Sequence, residues 1–193
     1  MPHITYRTLS LNILISLLQS LKKKPEVLKL YDDLIREQEK LGFIEKVYEN
    51  AVVPNKSKVH YLPHHPVHKD SLTTPIRIVY DCSAKASKHS PSLNDCLYTG
   101  PNLINNLVGF LLRFRLGKVA CISDVEKGIS YGRPLRKRQR FVQIFWPNNP
   151  FDDDCTVQVY RFKVVLFGST TSQFLLNSTI IHHFAKLKHR HLK

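Results

Sequence analysis

The spacing of apolar residues predicts four helices. Residues 9–21 are apolar with scattered Ser, Asn and Gln, which indicates an amphipathic or buried helix, since a membrane span needs about 20 apolar residues. Residues 28–41 show apolar positions at helical spacing, and Gly42 follows as a C-cap would. Residues 103–116 predict a Leu-rich helix with Asn102 as its N-cap. A last helix is predicted for residues 172–187.

Runs of β-branched and aromatic residues predict strands between these helices. The predicted strands are residues 43–47, 76–81, 119–125, 140–146, 156–160 and 162–167. Residues 147–154 are predicted to be a hairpin loop, residues 83–97 a polar loop, and residues 50–75, which contain several prolines, irregular. Helices between strands and a late antiparallel hairpin together predict an α+β fold.

Composition restricts the class of protein and its partners. A length of 193 residues predicts one domain, and a formal charge of +14 favours polyanionic partners, with nucleic acid first and an acidic membrane surface second. The cysteines form no CxxC pair, and Cys121 is predicted to be buried in an apolar strand. The basic flank of residues 9–21 lies on their C-terminal side, unlike that of a signal peptide. We therefore expect a reduced intracellular protein, in the cytoplasm or the nucleus.

Asp124 is the leading candidate for chemistry. It follows the apolar run of residues 119–122, where an acidic side chain either meets a cation or faces solvent. Glu126 shares its face on a strand, so both carboxylates could meet one cation. The alternative is that Glu126 is exposed and pairs with Lys127 or Arg133.

Three other patterns resemble metal or catalytic sites but are better explained as ordinary loops and turns. The acids at 152–154 follow turn-forming residues and predict a solvated hairpin tip rather than a metal site. Four histidines between residues 60 and 68 could bind zinc, but prolines interrupt them and no Cys or carboxylate completes a set, so a surface loop is favoured. Residues 128–132 match the G-x-S-x-G hydrolase pattern, yet the flanking residues suit a flexible turn better than a nucleophile elbow.

Clustered cations and a glycine turn suggest anion binding. The basic residues between positions 133 and 140 predict a nucleic-acid surface, although a solvated face is the alternative. The four proposed to contact nucleic acid are Arg136, Lys137, Arg138 and Arg140. Residues 166–174 end a strand and open a helix around Gly168, where a backbone could approach a ligand closely.

A series of segments resembles the reverse transcriptase of BEL/Pao-type retrotransposons. Residues 61–67 (YLPHHPV) and 77–85 (RIVYDCSAK) are similar to motifs of that family. The series continues in the family's order over most of residues 25–185, through SLNDCL, GPNL, LLRFRL, DVEK, YRFK and the Phe-Gly turn.

The resemblance implies a partial right-hand polymerase, with fingers at about residues 25–118 and the first part of the palm at about 119–193, while residues 1–24 carry no resemblance. By resemblance, Asp124 is the first catalytic aspartate and holds Mg²⁺ or Mn²⁺ beside the Val125 carbonyl. Arg77 and Lys69 contact the incoming dNTP, and Gly168 lies under the nucleotide. The implied partners are an RNA template and an RNA–DNA hybrid, without a membrane.

The sequence also departs from the family pattern. The family's catalytic aspartate pair lies in a Y-x-D-D hairpin beyond the final helix, which the 193 residues do not include. Ile129 replaces the aromatic residue of the family, and Gln173 replaces its proline at the Phe-Gly turn. We therefore expect the chain to be inactive alone as a polymerase, and two alternatives stay open: a non-catalytic nucleic-acid-binding module, or the product of a decayed retroelement.

Overall fold

The computed structural model describes residues 5–48, 59–68, 76–104, 106–122 and 141–191. In this part of the chain five helices accompany a mixed four-stranded sheet and a two-stranded sheet. The fold is therefore α+β, as the order of the sequence patterns predicts. Two predicted features, residues 123–125 of the strand at 119–125 and the basic residues between 133 and 140, lie outside the described residues.

Two long helices open the chain, as predicted. Helix α1 (Tyr6–Lys22) begins at Thr5, whose hydroxyl accepts a hydrogen bond from the Thr8 amide at 3.2 Å. Helix α2 (Pro25–Lys40) begins with Pro25, which suits a first helical position because its missing N–H would have no partner there. Each helix buries one face in the shared core. The buried residues are Ser10, Leu14, Leu21, Leu28, Tyr31 and Ile35.

The larger sheet has the order β1-β6-β5-β2. The antiparallel hairpin of β5 (Val142–Pro147) and β6 (Val157–Phe162) forms its centre, with β1 (Ile44–Lys46) antiparallel to β6 and β2 (His60–Tyr61) parallel to β5. The predicted hairpin is confirmed. The predicted strand at 156–160 is confirmed as part of β6, whereas the separate strand predicted at 162–167 is wrong, because β6 ends at Phe162 and residues 164–166 are buried without belonging to a strand.

The smaller sheet pairs β3 (His64–His68) with β4 (Ile76–Tyr80) in antiparallel register. The prediction that residues 50–75 are irregular is therefore wrong for β2 and β3. Pro66 is tolerated in β3 because a residue at this position does not need an N–H to pair with β4. The Asp81 amide donates to the Pro63 carbonyl at 2.9 Å, so every second position from Pro63 onward forms the hydrogen-bonded pairs of the ladder. Pro66, opposite Ile78, lies at one of the positions between these pairs.

Three further helices follow β4. Helix α3 (Leu93–Cys96) lies within the segment predicted to be a polar loop, and α5 (Ser172–His191) confirms the last predicted helix. Helix α4 (Leu107–Leu116) begins later than predicted, because the Asn106 side chain caps it by accepting from the Gly109 amide at 3.1 Å. Asn102 instead accepts from the Ile104 amide in a local turn.

The described start of the predicted strand at 119–125 differs from expectation. Residues 119–122 are exposed and form no strand. Cys121, predicted to be a buried apolar residue, is exposed as well. Apolar content alone predicted burial here, and no neighbouring strand of the described part covers these residues.

His64 lies at the point where α2, β3 and β5 meet. Its Nε2 lies 2.9 Å from the Phe145 carbonyl oxygen, which can only accept, so Nε2 carries the proton. The Nδ1 atom then accepts from the Tyr31 hydroxyl at 2.5 Å. Burial lowers the pKa of His64 from 6.5 to about 4, although the hydrogen bond to Phe145 opposes this shift. The ring is therefore neutral at pH 7 and its hydrogen-bonding groups are satisfied.

A second polar network attaches α2 to the β5–β6 hairpin. The buried Trp146 indole donates to the Asp32 carboxylate at 2.8 Å. Arg36 lies 3.3 Å from the same carboxylate and donates to the Tyr160 hydroxyl at 3.2 Å and to the Asn148 carbonyl at 2.6 Å. These contacts fix the helix over the sheet and leave its other face to line a neighbouring cleft.

We predict that His64→Gln destabilises the fold by about 2–4 kcal/mol, because it disturbs two buried hydrogen bonds. The wild type should also lose stability on acidification. The folded pKa of His64 is below the unfolded value, so its contribution is complete above pH 6.5 and is lost as the pH falls from about 6.5 towards 4, by about 3 kcal/mol in all. Urea unfolding at several pH values measures both effects.

The matched control is His65→Gln, which alters the exposed neighbour on the same strand. It should leave the stability within about 0.5 kcal/mol of wild type. Equal pH dependence in the wild type and His64→Gln would contradict the assigned role of His64.

Candidate functional site

A cleft of about 670 Å³ lies between α2, β4 and the segment 164–168. Its α2 wall carries Leu34 and Gln38, and its opposite wall runs from Val164 to Gly168. Arg77 is exposed on β4 and brings a permanent positive charge to this mainly apolar lining. The cleft thus combines a guanidinium group, an apolar wall and a glycine turn.

Tyr80 forms the buried floor beside this cleft. Its hydroxyl donates to the Gln38 side-chain oxygen at 2.7 Å, and its ring meets Phe162 edge to face with ring centroids 4.8 Å apart. Burial raises the pKa of Tyr80, so the hydroxyl stays protonated. Tyr80 therefore acts as a neutral structural contact between α2 and β4.

Gly168 marks the turn that closes one side of the cleft. Its φ is +89°, a conformation that residues with a Cβ rarely adopt. A Cβ added there would lie 3.1 Å from the Tyr80 carbonyl oxygen and 3.9 Å from Cys82 Sγ. Burial, together with the charge of Asp81, raises the pKa of the Cys82 thiol to about 11, so the group beneath the turn is neutral. The turn approaches the end of β4 closely only because glycine occupies this position.

The short helix α3 holds the turn from the side. Asn94 donates from Nδ2 to the Gly168 carbonyl at 3.1 Å and accepts at Oδ1 from the Thr170 amide at 3.0 Å. Its own amide donates to the Cys82 carbonyl at 3.0 Å. Asn94 therefore links the turn before α5 to the loop after β4.

A capping box stabilises α3 itself. The Ser92 hydroxyl accepts from the Asp95 amide at 3.2 Å, and the Asp95 carboxylate accepts from the Ser92 amide at 3.0 Å. Lys85 lies 2.8 Å from that carboxylate, and this hydrogen-bonded pair lowers the pKa of Asp95 to about 2. The segment SLND thus forms a small ordered unit despite its loop-like sequence.

The structure brings together two of the predicted site residues. Arg77 and Gly168, far apart in the sequence, both line the cleft. The other predicted site residues lie outside the described residues: Lys69, Asp124, Val125, Arg136, Lys137, Arg138 and Arg140. Residues 128–132, with the hydrolase-like pattern, lie outside them too. Within the described ranges no group of three or more His, Cys, Asp or Glu side chains could hold a metal ion.

The histidine cluster is not the surface loop that the sequence suggested. His64 is buried on β3, whereas His65 and His68 are exposed. His60 lies on β2 against the Tyr6 ring, with ring centroids 4.2 Å apart. The acids at 152–154 are exposed, as predicted for a solvated tip, and Asp153 pairs with Lys22.

Sequence reasoning missed the roles of Asn94, Gln38 and Tyr80. Asn94 stands in the segment that contributes to the family resemblance, but no motif shows that its amide reaches Gly168. Gln38 and Tyr80 fall at ordinary helix and strand positions. Their contacts depend on tertiary packing between α2 and β4.

Comparison with known families and curated proteins does not assign the chain to a family or a function. No model of a known protein family matches the chain, and no curated protein is detectably similar to it. No helix within the described ranges has both the length and the apolar character needed to cross a bilayer.

We predict that Gly168→Ala destabilises the fold by about 1–3 kcal/mol, because the new Cβ is strained at this φ and crowds the Tyr80 carbonyl. The control is Gly109→Ala in α4, where an added Cβ meets nothing within 4 Å. That change should stabilise the protein by up to about 1 kcal/mol, because alanine favours a helix. Thermal unfolding of both variants measures the difference, and equal effects would contradict the close approach at Gly168.

Proposed function

We propose that the chain forms the fingers and the first part of the palm of a BEL/Pao-type reverse transcriptase, an RNA-directed DNA polymerase. The observation that carries this proposal is that Arg77 and Gly168 both line one cleft. The sequence resemblance assigns both residues to the incoming nucleotide without any knowledge of their separation in space. A common nucleotide site requires both residues to line the same cleft, as they do.

In the proposed site Arg77 binds the triphosphate of the incoming dNTP. A guanidinium group is permanently charged and presents its donors in a fixed fork that suits phosphate oxygens. Phosphoryl transfer depends chiefly on neutralising and positioning these oxygens. The exposure of Arg77 at the cleft leaves its side chain accessible to such a ligand.

The glycine turn would accept the base and sugar. Gly168 presents a surface without a side chain beside the apolar residues Leu166 and Phe167, and Phe167 is 58% exposed. An accessible aromatic ring and a bare backbone suit the flat face of a base. In this arrangement Arg77 and Gly168 hold opposite ends of one nucleotide.

Asp124 and the Val125 carbonyl would hold Mg²⁺ or Mn²⁺, with Lys69 as a second contact to the triphosphate. Carboxylate and carbonyl oxygens are suitable ligands for these hard cations. The cation supplies charge neutralisation during nucleotidyl transfer. The chain's own contribution in the described part is to bind and orient the nucleotide through Arg77 and the Gly168 turn.

The net charge of +14 supports an RNA template and an RNA–DNA hybrid as partners. Arg136, Lys137, Arg138 and Arg140 would contact their phosphates. The same charge also favours the second candidate function, a non-catalytic nucleic-acid-binding module. The two functions differ in whether a matching dNTP binds at the cleft.

We predict that a matching dNTP, with Mn²⁺, slows dissociation of the chain from an RNA–DNA primer–template whose primer ends in a dideoxynucleotide. Arg77→Ala should reduce this dNTP effect by about tenfold or more, because it removes charge-assisted hydrogen bonds to phosphate. Arg115→Ala, which removes the same charge from the exposed end of α4, is the control and should retain it. Dissociation under a heparin challenge measures the effect.

Hybrid binding without any dNTP effect would reject the polymerase site and favour the non-catalytic module. Absence of hybrid binding at low salt would reject both functions. An equal loss in Arg77→Ala and Arg115→Ala would show that Arg77 contributes only to general charge.

We also predict that the 193-residue chain does not extend a primer by itself. It carries the counterpart of one catalytic aspartate, Asp124, without the Y-x-D-D segment, and two-metal catalysis requires further ligands. A primer-extension assay with radiolabelled dNTP tests this. Extension by the pure chain that Asp124→Asn abolishes would contradict the prediction.

A further inference from the structure

The side chain of the half-buried Asn94 contacts three groups from two other parts of the chain. Its Nδ2 donates to the Gly168 carbonyl at 3.1 Å and lies 3.3 Å from Ser83 Oγ. Its Oδ1 accepts from the Thr170 amide at 3.0 Å. The amide group therefore uses both its donor and its acceptor, and a side chain with only one of these functions cannot reproduce the arrangement.

These contacts join the end of β4 to the turn that closes one side of the cleft. Ser83 follows β4, the strand that carries Arg77, whereas Gly168 and Thr170 belong to the turn that opens α5. The Asn94 amide adds a third attachment, to the Cys82 carbonyl at 3.0 Å. A continuous path of bonded groups thus runs from Arg77 along β4, through Asn94, to Gly168.

The backbone of Asn94 is itself held in place by α3. Asn94 is the second residue of α3, between the buried Leu93 and Asp95, which forms the capping box with Ser92. A short helix with a full capping box and a buried apolar neighbour leaves little freedom for the Asn94 backbone. Movement of the Gly168 turn relative to β4 therefore requires breaking the side-chain hydrogen bonds of Asn94.

We propose that Asn94 is a positioning residue that sets the distance between the triphosphate contact at Arg77 and the glycine turn that receives the base. The proposal rests on the function inferred above and adds a residue that the sequence patterns did not assign. The proposed ligand is a nucleoside triphosphate that contacts both Arg77 and the Gly168 turn, which line the same cleft. Asn94 touches neither end of this ligand and acts through the turn.

A purely structural role for Asn94 leads to a different expectation. If the residue only closes a surface loop, its loss should lower stability and affect every activity in parallel. A positioning role separates these properties: hybrid binding and folding should persist, whereas the response to a matching dNTP should fall. The comparison of nucleotide response with hybrid affinity therefore discriminates between the two roles.

The test uses Asn94→Ala and Asn94→Asp in the 193-residue chain, with Asn102→Ala as the control. Asn102 is an exposed loop asparagine whose side chain makes a local bond to the Ile104 amide, without reaching the cleft. The probe is the dideoxy-terminated RNA–DNA primer–template with Mn²⁺ and the matching dNTP. Hybrid affinity, the dNTP effect on dissociation and the unfolding midpoint are measured for each variant.

We expect Asn94→Ala to reduce the dNTP effect by about tenfold, the value for losing one or two net hydrogen bonds, with hybrid affinity within about twofold of wild type. Asn94→Asp keeps the acceptor for the Thr170 amide but places a carboxylate oxygen against the Gly168 carbonyl in place of the donor, so its loss should be at least as large as that of Asn94→Ala. Asn102→Ala should retain the full dNTP effect. Hydrogen exchange of the peptide that contains Thr170 should be faster in Asn94→Ala.

The outcomes separate this inference from the proposed function. A wild-type chain that binds hybrid without a dNTP response rejects the proposed function, whatever Asn94 does to hydrogen exchange. A wild-type response that survives in Asn94→Ala rejects the positioning role and leaves the proposed function standing. A parallel loss of hybrid affinity, dNTP response and stability in Asn94→Ala also rejects positioning, in favour of a structural role.

Discussion

The fold depends on a neutral histidine buried where three elements meet. His64 can be buried because the Tyr31 hydroxyl donates to one ring nitrogen and the Phe145 carbonyl accepts from the other. Without both partners the ring would lose its hydration with no compensation. These two bonds orient β3 against α2 and β5, and β3 in turn aligns β4 by pairing with it. The strand that carries Arg77 therefore has its position set by the core.

Helix α2 connects this core to the cleft because one of its faces packs in the core and the adjoining face lines the cleft. One face buries Leu28, Tyr31 and Ile35, and the adjoining face presents Leu34 and Gln38 to the cleft. Gln38 then contacts Tyr80 at the end of β4. A change in the core should consequently reach α2 and β4, which both line the cleft, whereas a change at Asn94 affects the joint between β4 and the glycine turn.

Much of this fold follows from local patterns in the sequence. The apolar spacing of α2 and the β-branched run of β4 identify both elements, because each buries one face. Strands β2 and β3, which pair with β5 and β4 respectively, escaped prediction, since prolines and histidines dominate this part of the sequence. Pro66 is acceptable in β3 only through its register with β4, and His64 is acceptable in the core only through partners distant in the sequence. Neither condition has a local signature.

The candidate site, like the fold, could be predicted from the sequence only in part. Arg77 and Gly168 could be assigned from segments that resemble one family, since such assignments need only residue types in order. The link through Asn94 could not be assigned from the sequence, because it depends on side-chain hydrogen bonds to Ser83, Gly168 and Thr170. Residue types identify which groups could bind a nucleotide, but tertiary hydrogen bonds decide how far apart those groups are held. In the proposed site, replacing that single amide would therefore weaken nucleotide binding although every ligand-contacting residue is unchanged.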